Sequence, residues 1–284
     1  MAEQRTVVVT GCSSGIGHCV AHGLHRAGYR VFATARNPSD VDRLAVEGLE
    51  SLKLDLADSN SIRTTAEEVL NRTGKAVYGV FNNGAYGQPG AVEDLSRAVL
   101  REQFESNLFG PHELTTLLLP AMRSRGEGRI IQNSSVLGLI ALAYRGAYTA
   151  SKFALEGLTD TLRLELRGSG IFVSIIEPGP ILSRFRANAY QAFQRNIDVE
   201  RSIHRNAYQA MVRRFIAPGP VAPFTLPPEA VLKRVVHALE SPRPKARYCV
   251  TFPAYLFAIL RRLLPHGVLD GVLFRIGTNE RKPR

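Results

Sequence analysis

From residue 6 to residue 176, short apolar, β-branched runs alternate with amphipathic stretches, and few architectures can accommodate that pattern. The strand-like runs are 6–10, 30–34, 49–54, 77–81, 129–133 and 171–176. Helical patterns fill the gaps: 16–27, closed by Gly28, then 41–46, 58–72, 97–123 and 147–167. Strands separated by helices cannot pair as hairpins, so they pair side by side in parallel through helical crossovers. Right-handed crossovers then cover both faces of one sheet. The expected fold class is therefore α/β, a single-domain, doubly wound parallel sheet of the Rossmann type. In such sheets ligands sit beyond the carboxyl ends of the strands, which makes the residues after each strand the ones to inspect.

The regularity breaks after Pro178-Gly-Pro180. Residues 183–226 are polar, aromatic and Arg-rich with a Pro-rich end, and are expected to form a substrate lid. A helix starts near Pro227-Pro-Glu-Ala230, and 248–252 reads as a last strand. Residues 253–284 form a basic, apolar C-terminal extension. With 284 residues, one core suffices, and the whole of 1–284 is expected to be one domain.

The net charge of +11 is unevenly placed. Residues 183–214 carry seven arginines against two acids, and 243–284 carry nine Lys or Arg against two acids. No nucleic-acid reading motif accompanies this charge, so no nucleic-acid partner is expected. Solvated surface is the plain reading, and an anionic membrane is the sharper one. For the C-terminal extension, packing on the core or on a subunit competes with an interfacial helix on lipid. No signal-like segment or run of about 18 apolar residues is visible. Three scattered cysteines without a CxxC pair suggest a reducing, cytoplasmic setting and no metal.

After the first strand comes Thr10-Gly-Cys-Ser-Ser-Gly-Ile-Gly17. Gly11, Gly15 and Gly17 let the chain turn sharply and approach a pyrophosphate, with the next helix offering its amides and dipole to the anion. The same stretch matches G-x-S-x-G around Ser13, the nucleophile elbow of α/β-hydrolases. An elbow would normally follow several strands, and no motif supplies Ser13 with His and acid partners. An esterase-like hydrolase is therefore the minor alternative. Arg36 follows the second strand where an acid would bind the ribose hydroxyls of NAD. A guanidinium there suits a 2′-phosphate, which favours NADP(H). Asp55 ends the third strand and could accept the adenine amino group. Asn82-Asn83-Gly84 ends the fourth strand, facing a cofactor.

Tyr148-Thr-Ala-Ser-Lys152 opens a helix, where residues four apart share a face. A neighbouring ammonium would favour phenolate and lower the tyrosine pKa. Tyr148 then suits an acid in carbonyl reduction and a base in alcohol oxidation. Ser135, at the end of the fifth strand, could hold the substrate oxygen. Asn107 lies in the long helix and could support a water leading to Lys152.

Together Thr10–Gly17, Asp55, Asn82-Asn83, Asn107, Ser135, Tyr148/Lys152 and Pro178-Gly179 resemble the short-chain dehydrogenase/reductase family from Thr6 to about Phe252. Residues 145–156 and Glu177-Pro-Gly-Pro-Ile181 look like its 17β-hydroxysteroid/retinol dehydrogenase-like branch, with similarity to bacterial NADP-dependent aldehyde reductases. The resemblance implies a catalytic tetrad of Asn107, Ser135, Tyr148 and Lys152. It implies NADP(H) contacts from Gly11, Ser13, Ser14, Gly15, Ile16, Gly17, Arg36, Asp55, Leu56, Asn82, Asn83, Gly84, Pro178, Gly179 and Ile181. Tyr148 and Lys152 would also contact the cofactor, Lys152 by holding the nicotinamide ribose. Homodimers or homotetramers are common in the family. One departure is Asn82-Asn-Gly-Ala85, where the family usually has Asn-Asn-Ala-Gly; it puts a Cβ where glycine usually lies.

The substrate pocket is expected at Ser135, Leu137, Leu142, Tyr144 and Phe185. These residues point to a small apolar carbonyl or its alcohol, such as a long aldehyde or a retinoid- or steroid-like ketone. A nucleotide-binding regulator without turnover is a further alternative, disfavoured by the intact Ser135, Tyr148 and Lys152.

Overall fold

The computed structural model describes residues 4–279, so the tail's Arg281, Lys282 and Arg284 lie outside the described residues. Seven strands form one sheet: β1 (Thr6–Val9), β2 (Arg30–Ala35), β3 (Glu50–Lys53), β4 (Gly79–Asn82), β5 (Gly128–Asn133), β6 (Ile171–Pro178) and β7 (Arg247–Val250). Their order is β3-β2-β1-β4-β5-β6-β7, and every pairing is parallel. The strand alternation of side chains assigns the two faces. Val7, Val9, Val31, Ala33 and Ile131 enter one apolar layer, and Val8, Phe32 and Ile130 enter the other.

The first layer is closed by α1 (Gly15–Arg26), α2 (Pro38–Val46) and α9 (Glu229–Glu240) through Val20, Leu24, Leu44, Val231 and Val235. The second is closed by α3 (Ser59–Arg72), α5 (Gly110–Arg125) and α6 (Gly146–Glu165). Ile62, Ala66, Leu114, Leu118 and Met122 pack there. This is the doubly wound arrangement expected from the alternation. The strand order reverses between β1 and β4, which opens a crevice at their carboxyl ends.

Three differences from the sequence expectations have local causes. The helix expected over 97–123 is α4 (Arg97–Phe104), a π-helical turn at Glu105–Phe109 and then α5. Gly110 restarts the helix where a Cβ would lie 2.0 Å from the Leu56 carbonyl oxygen. The last strand stops at Val250 because Thr251 has φ +83° and Pro253 opens α10 (Phe252–Leu263). The 183–226 insertion is not a bare loop, for it contains α7 (Phe185–Asn196) and α8 (Arg205–Ile216). These helices share a small core of Phe193, Tyr208 and Met211 with Ala91, Leu95 and Val99.

The C-terminal extension forms α10 and α11 (His266–Asn279). Phe257, Leu269 and Leu273 pack on Ile140, beside Leu137 and Leu142. Among the described residues no helix is long and apolar enough to cross a membrane, and the three cysteines are free.

Candidate active site

The turn from β1 to α1 is a cradle that only glycine fits. Gly11 and Gly15 have φ of +70° and +58°, conformations a Cβ disfavours. Gly17 packs so close that a Cβ would lie 2.2 Å from the Gly11 carbonyl oxygen. Ser14, the N-cap of α1, makes no side-chain cap bond. The first amides of α1 thus keep their donor capacity for a ligand.

The turn is braced from three strand ends. The Thr10 hydroxyl accepts from the amides of Asn83 (2.9 Å) and Gly84 (2.8 Å). Asn83 Nδ2 donates to the Thr10 carbonyl at 2.9 Å, and Asn133 Nδ2 donates to Asn83 Oδ1 at 2.9 Å. Arg43 donates to the Ser13 carbonyl at 2.7 Å.

A pocket of about 450 Å³ opens beyond these ends. Gly11, Ser13, Ser14, Ile16, Asn83, Gly84, Pro178, Gly179 and Ile181 line one part, and Ser135, Leu137, Leu142, Tyr148, Lys152 and Phe185 line the other. A larger hollow of about 780 Å³ lies at the opposite end of the strands, around Thr6, Tyr29 and Tyr78. It holds none of the expected site residues.

Several expected cofactor residues stand outside the pocket lining. Arg36 is exposed just past β2. Asp55 Oδ1 accepts from the Ala57 amide at 3.0 Å. Leu56 packs under Gly84, where a Cβ would meet its Cδ1 at 2.7 Å. Asn82 is buried and donates to the Thr115 hydroxyl at 2.8 Å. Gly15 faces Ser183, and Gly17 is buried behind the turn. The Gly84-Ala85 departure is accommodated without a left-handed residue, and Ala85 lines the pocket.

Tyr148 and Lys152 project from α6 and are buried, at 8% and 3% exposed. Lys152 Nζ donates to the Asn133 carbonyl at 2.7 Å and lies 5.6 Å from the Tyr148 ring centre. Burial pushes the Lys152 pKa down to about 8, opposed by the Glu156 charge. Burial pushes Tyr148 up to about 12, opposed by the Ser135 hydroxyl. The sequence expectation that Lys152 lowers the tyrosine pKa is not met in this arrangement. Desolvation dominates, and the ammonium is directed at the Asn133 carbonyl. The phenol therefore holds its proton at neutral pH, the state a proton donor needs.

Asn107 sits on the π turn, buried. Its Oδ1 accepts from the Tyr86 amide at 3.1 Å, and its Nδ2 donates to the Tyr86 carbonyl at 2.9 Å and the Ser151 hydroxyl at 3.1 Å. It thus pins the irregular segment after β4 to α6 at Ser151, the residue before Lys152. Tyr144 has φ +61° and turns into the lid, its hydroxyl 3.2 Å from His204 Nδ1 rather than in the pocket lining. Phe185 reaches over the site, with its ring 5.3 Å from that of Tyr148.

Sequence reasoning missed Asn133, the acceptor for Lys152, and the wall formed by Gly87, Gln88 and Pro89. It also missed Arg247, which bridges the buried Glu156 and Glu177 at 2.5 and 2.6 Å. Asn133 was signalled by its place at a strand end, but no local pattern marks the others.

The residues present fit a nicotinamide dinucleotide: a glycine cradle and uncapped helix at one end, a buried Tyr148/Lys152 pair beside the half-buried Ser135 at the other. Such a cofactor, when bound, supplies or takes a hydride.

Comparison with known proteins agrees. Residues 5–193 match the family described as short chain dehydrogenase. An uncharacterized oxidoreductase of Escherichia coli, YbbO, is 46% identical over 270 residues, covering 95% of this chain and 94% of its own. Human retinol dehydrogenase 8 is 33% identical over 263 residues, covering 87% and 81%. A short-chain dehydrogenase structure from Streptomyces avermitilis superposes with a TM-score of 0.75 at 29% identity, covering 99% of this chain and 97% of that one. With its parallel sheet, its glycine turn and its buried Tyr148/Lys152 pair, this chain belongs to the short-chain dehydrogenase/reductase family of oxidoreductases, in the retinol dehydrogenase-like branch.

Proposed function

We propose that this protein interconverts an apolar carbonyl compound and its alcohol, using NADP(H). The observation that carries the reading is the buried Tyr148/Lys152 pair, with the half-buried Ser135, in one pocket with the glycine turn. In the reductive direction the Tyr148 phenol gives its proton to the carbonyl oxygen while Ser135 holds that oxygen. Lys152, its Nζ 5.6 Å from the Tyr148 ring centre and anchored on the Asn133 carbonyl, is the cation on the same helix face when the phenol gives up its proton. Hydride and proton together convert the carbonyl to the alcohol, and the oxidative direction reverses both.

NADP(H) is favoured over NAD(H) by Arg36. No acid stands at the end of β2 before Asp40, and Asp40 is 3.1 Å from Arg43. The apolar wall of Val136, Leu137, Leu142, Phe185, Phe215 and Val221 favours long-chain aldehydes or retinoid- and steroid-like ketones. The hydrolase reading is disfavoured because, among the described residues, no His, Asp or Glu lines the pocket around Ser13.

The test is NADPH consumption against aldehydes and ketones graded by chain length, with NADH in parallel. NADPH-dependent turnover that rises with chain length supports the reading. A preference for short polar carbonyls would overturn the substrate class, and a preference for NADH would overturn the role of Arg36.

A second reading concerns α10. Phe252, Tyr255, Leu256, Ile259 and Leu263 are exposed along one stripe, opposite the buried Ala254 and Phe257. Exposed Phe224 of the lid joins them, its ring 4.9 Å from that of Phe252. Arg261 and Arg262 stand in the last turn. We propose that this apolar, basic face lies on anionic lipid, with a second copy of the chain as the competing occupant.

A further inference from the structure

Helix α1 carries two histidines one turn apart, His18 and His22, on the side away from its buried apolar residues. Residues four apart on a helix project together, and here both rings converge on one atom. His18 Nε2 lies 2.9 Å and His22 Nε2 2.8 Å from the same oxygen, Oε2 of Glu47 at the end of α2. All three potential ligand atoms lie within 4.8 Å of one another. Among the described residues this is the one such group of three. None of its members lines the pocket of the active site.

We propose that His18, His22 and Glu47 form a binding site for a borderline divalent cation of the zinc class, clamping α1 to the end of α2. Two imidazole nitrogens and one carboxylate oxygen are a donor set that suits zinc, cobalt(II), nickel or copper better than magnesium or calcium. Bonds of about 2.0–2.2 Å to a tetrahedral ion place neighbouring ligand atoms roughly 3.3–3.6 Å apart. The imidazoles must therefore move back from Oε2 by about half an ångström, a small rotation for partly exposed side chains. A water completes the fourth position on the solvent side.

The carboxylate is already oriented for this role. Glu47 Oε1 accepts from Arg43 at 2.9 Å, which fixes the carboxylate plane and leaves Oε2 to face the histidines. Arg43 is itself held by Asp40 at 3.1 Å and by the Ser13 carbonyl at 2.7 Å. Metal ligands are commonly positioned by such outer hydrogen bonds. An ion that binds the folded arrangement and not the unfolded chain stabilises it by mass action. The clamp therefore stiffens the two helices that flank the glycine turn.

The test uses the full-length protein, stripped with a chelator, and zinc or cobalt(II) as the probe. Equilibrium dialysis is expected to give one zinc per chain from this site. Zinc, but not magnesium, is expected to raise the melting temperature. Cobalt(II) is expected to show the intense visible bands of inner-sphere, four-coordinate binding. His18→Asn and His22→Asn should each remove the bands and the thermal shift. His25→Asn, on the same helix but outside the group, and Cys19→Ser should keep both. Absence of saturable zinc binding at millimolar concentration would overturn the proposal. So would binding that survives in both histidine variants, or that is lost with Cys19→Ser.

Discussion

At the scale of single residues, the proposed reaction rests on two groups whose burial works in opposite directions. Tyr148 is pushed toward its protonated form and Lys152 toward its neutral one. Replacing Tyr148 by Phe removes the proton donor and keeps the ring. The expected loss in kcat is about 10²–10⁴-fold, with NADPH binding, followed by fluorescence, retained. Glu156 lies one turn beyond Lys152, and its charge supports the ammonium. In Glu156→Gln that support is gone, so the Lys152 pKa falls below its value of about 8. If the ammonium is the active form, the alkaline decline of kcat/KM should then begin at lower pH. An unmoved alkaline limb would remove Glu156 from this role.

Glu156 also makes a stability prediction with a definite sign. Burial and the neighbouring Glu177 lift its pKa from 4.5 to about 7, because one guanidinium, Arg247, serves two buried carboxylates. The folded state therefore binds this proton more tightly than the unfolded chain. The associated stability is present below about pH 4.5 and is lost as pH rises through about 7. Thermal melts across that window should show wild type losing stability relative to Glu156→Gln as the pH is raised. Tyr148 and Lys152 were legible because their spacing of four is set by one helix. The Arg247 bridge was not, because sheet pairing of β6 with β7 brings it to Glu177 and Glu156 from far along the sequence.

At the scale of elements, the alternating runs identified six strands and the order of the helices. They do so because an apolar pattern reports burial, and burial defines these elements. Patterns do not report backbone crowding, so the π turn at Glu105–Phe109 was hidden. It ends at Gly110, which approaches the Leu56 carbonyl too closely for a Cβ, a contact the linear sequence does not display. The helices of the 183–226 segment and their anchor were not legible either. That anchor is Tyr208, fully buried, which accepts from the Ala91 amide at 2.9 Å and donates to Asp94. Ser202 donates to the same carboxylate at 2.6 Å. Tyr208→Phe leaves the Ala91 donor unsatisfied and deprives Asp94 of one donor, at a cost of about 1–3 kcal/mol. The lid should loosen while the Tyr148 group stays intact. The expected result is a higher KM for long apolar substrates with kcat changed much less. An equal fall of kcat for short and long substrates would instead mean that Tyr208 supports the catalytic group.

At the scale of the whole molecule, the C-terminal extension solves one burial problem and leaves another. Its inner side packs against Ile140 and its neighbours, next to the pocket wall at Leu137 and Leu142. The sequence weighed core packing against a lipid-facing helix as rivals. The structure gives α10 an apolar inner side and an apolar outer stripe, so the core reading accounts for only half of it. The outer stripe, with Phe224 beside Phe252, adjoins the lid, and an apolar substrate dissolved in a bilayer would meet the protein near its pocket. Deleting α10 and α11 would strip the cover from Ile140 and confuse binding with unfolding. Paired surface changes avoid that: Ile259→Ser with Leu263→Ser touches residues 55% and 73% exposed. This variant should keep the wild-type melting temperature and its turnover of a short, water-soluble aldehyde. It should bind vesicles containing anionic phospholipid more weakly and turn over a bilayer-dissolved substrate more slowly. Vesicle binding should also weaken as salt rises, because Arg261 and Arg262 contribute through screened charge. If the variant instead changes the oligomeric state in sedimentation while vesicle binding is absent in both proteins, the stripe is an interface between copies of this chain.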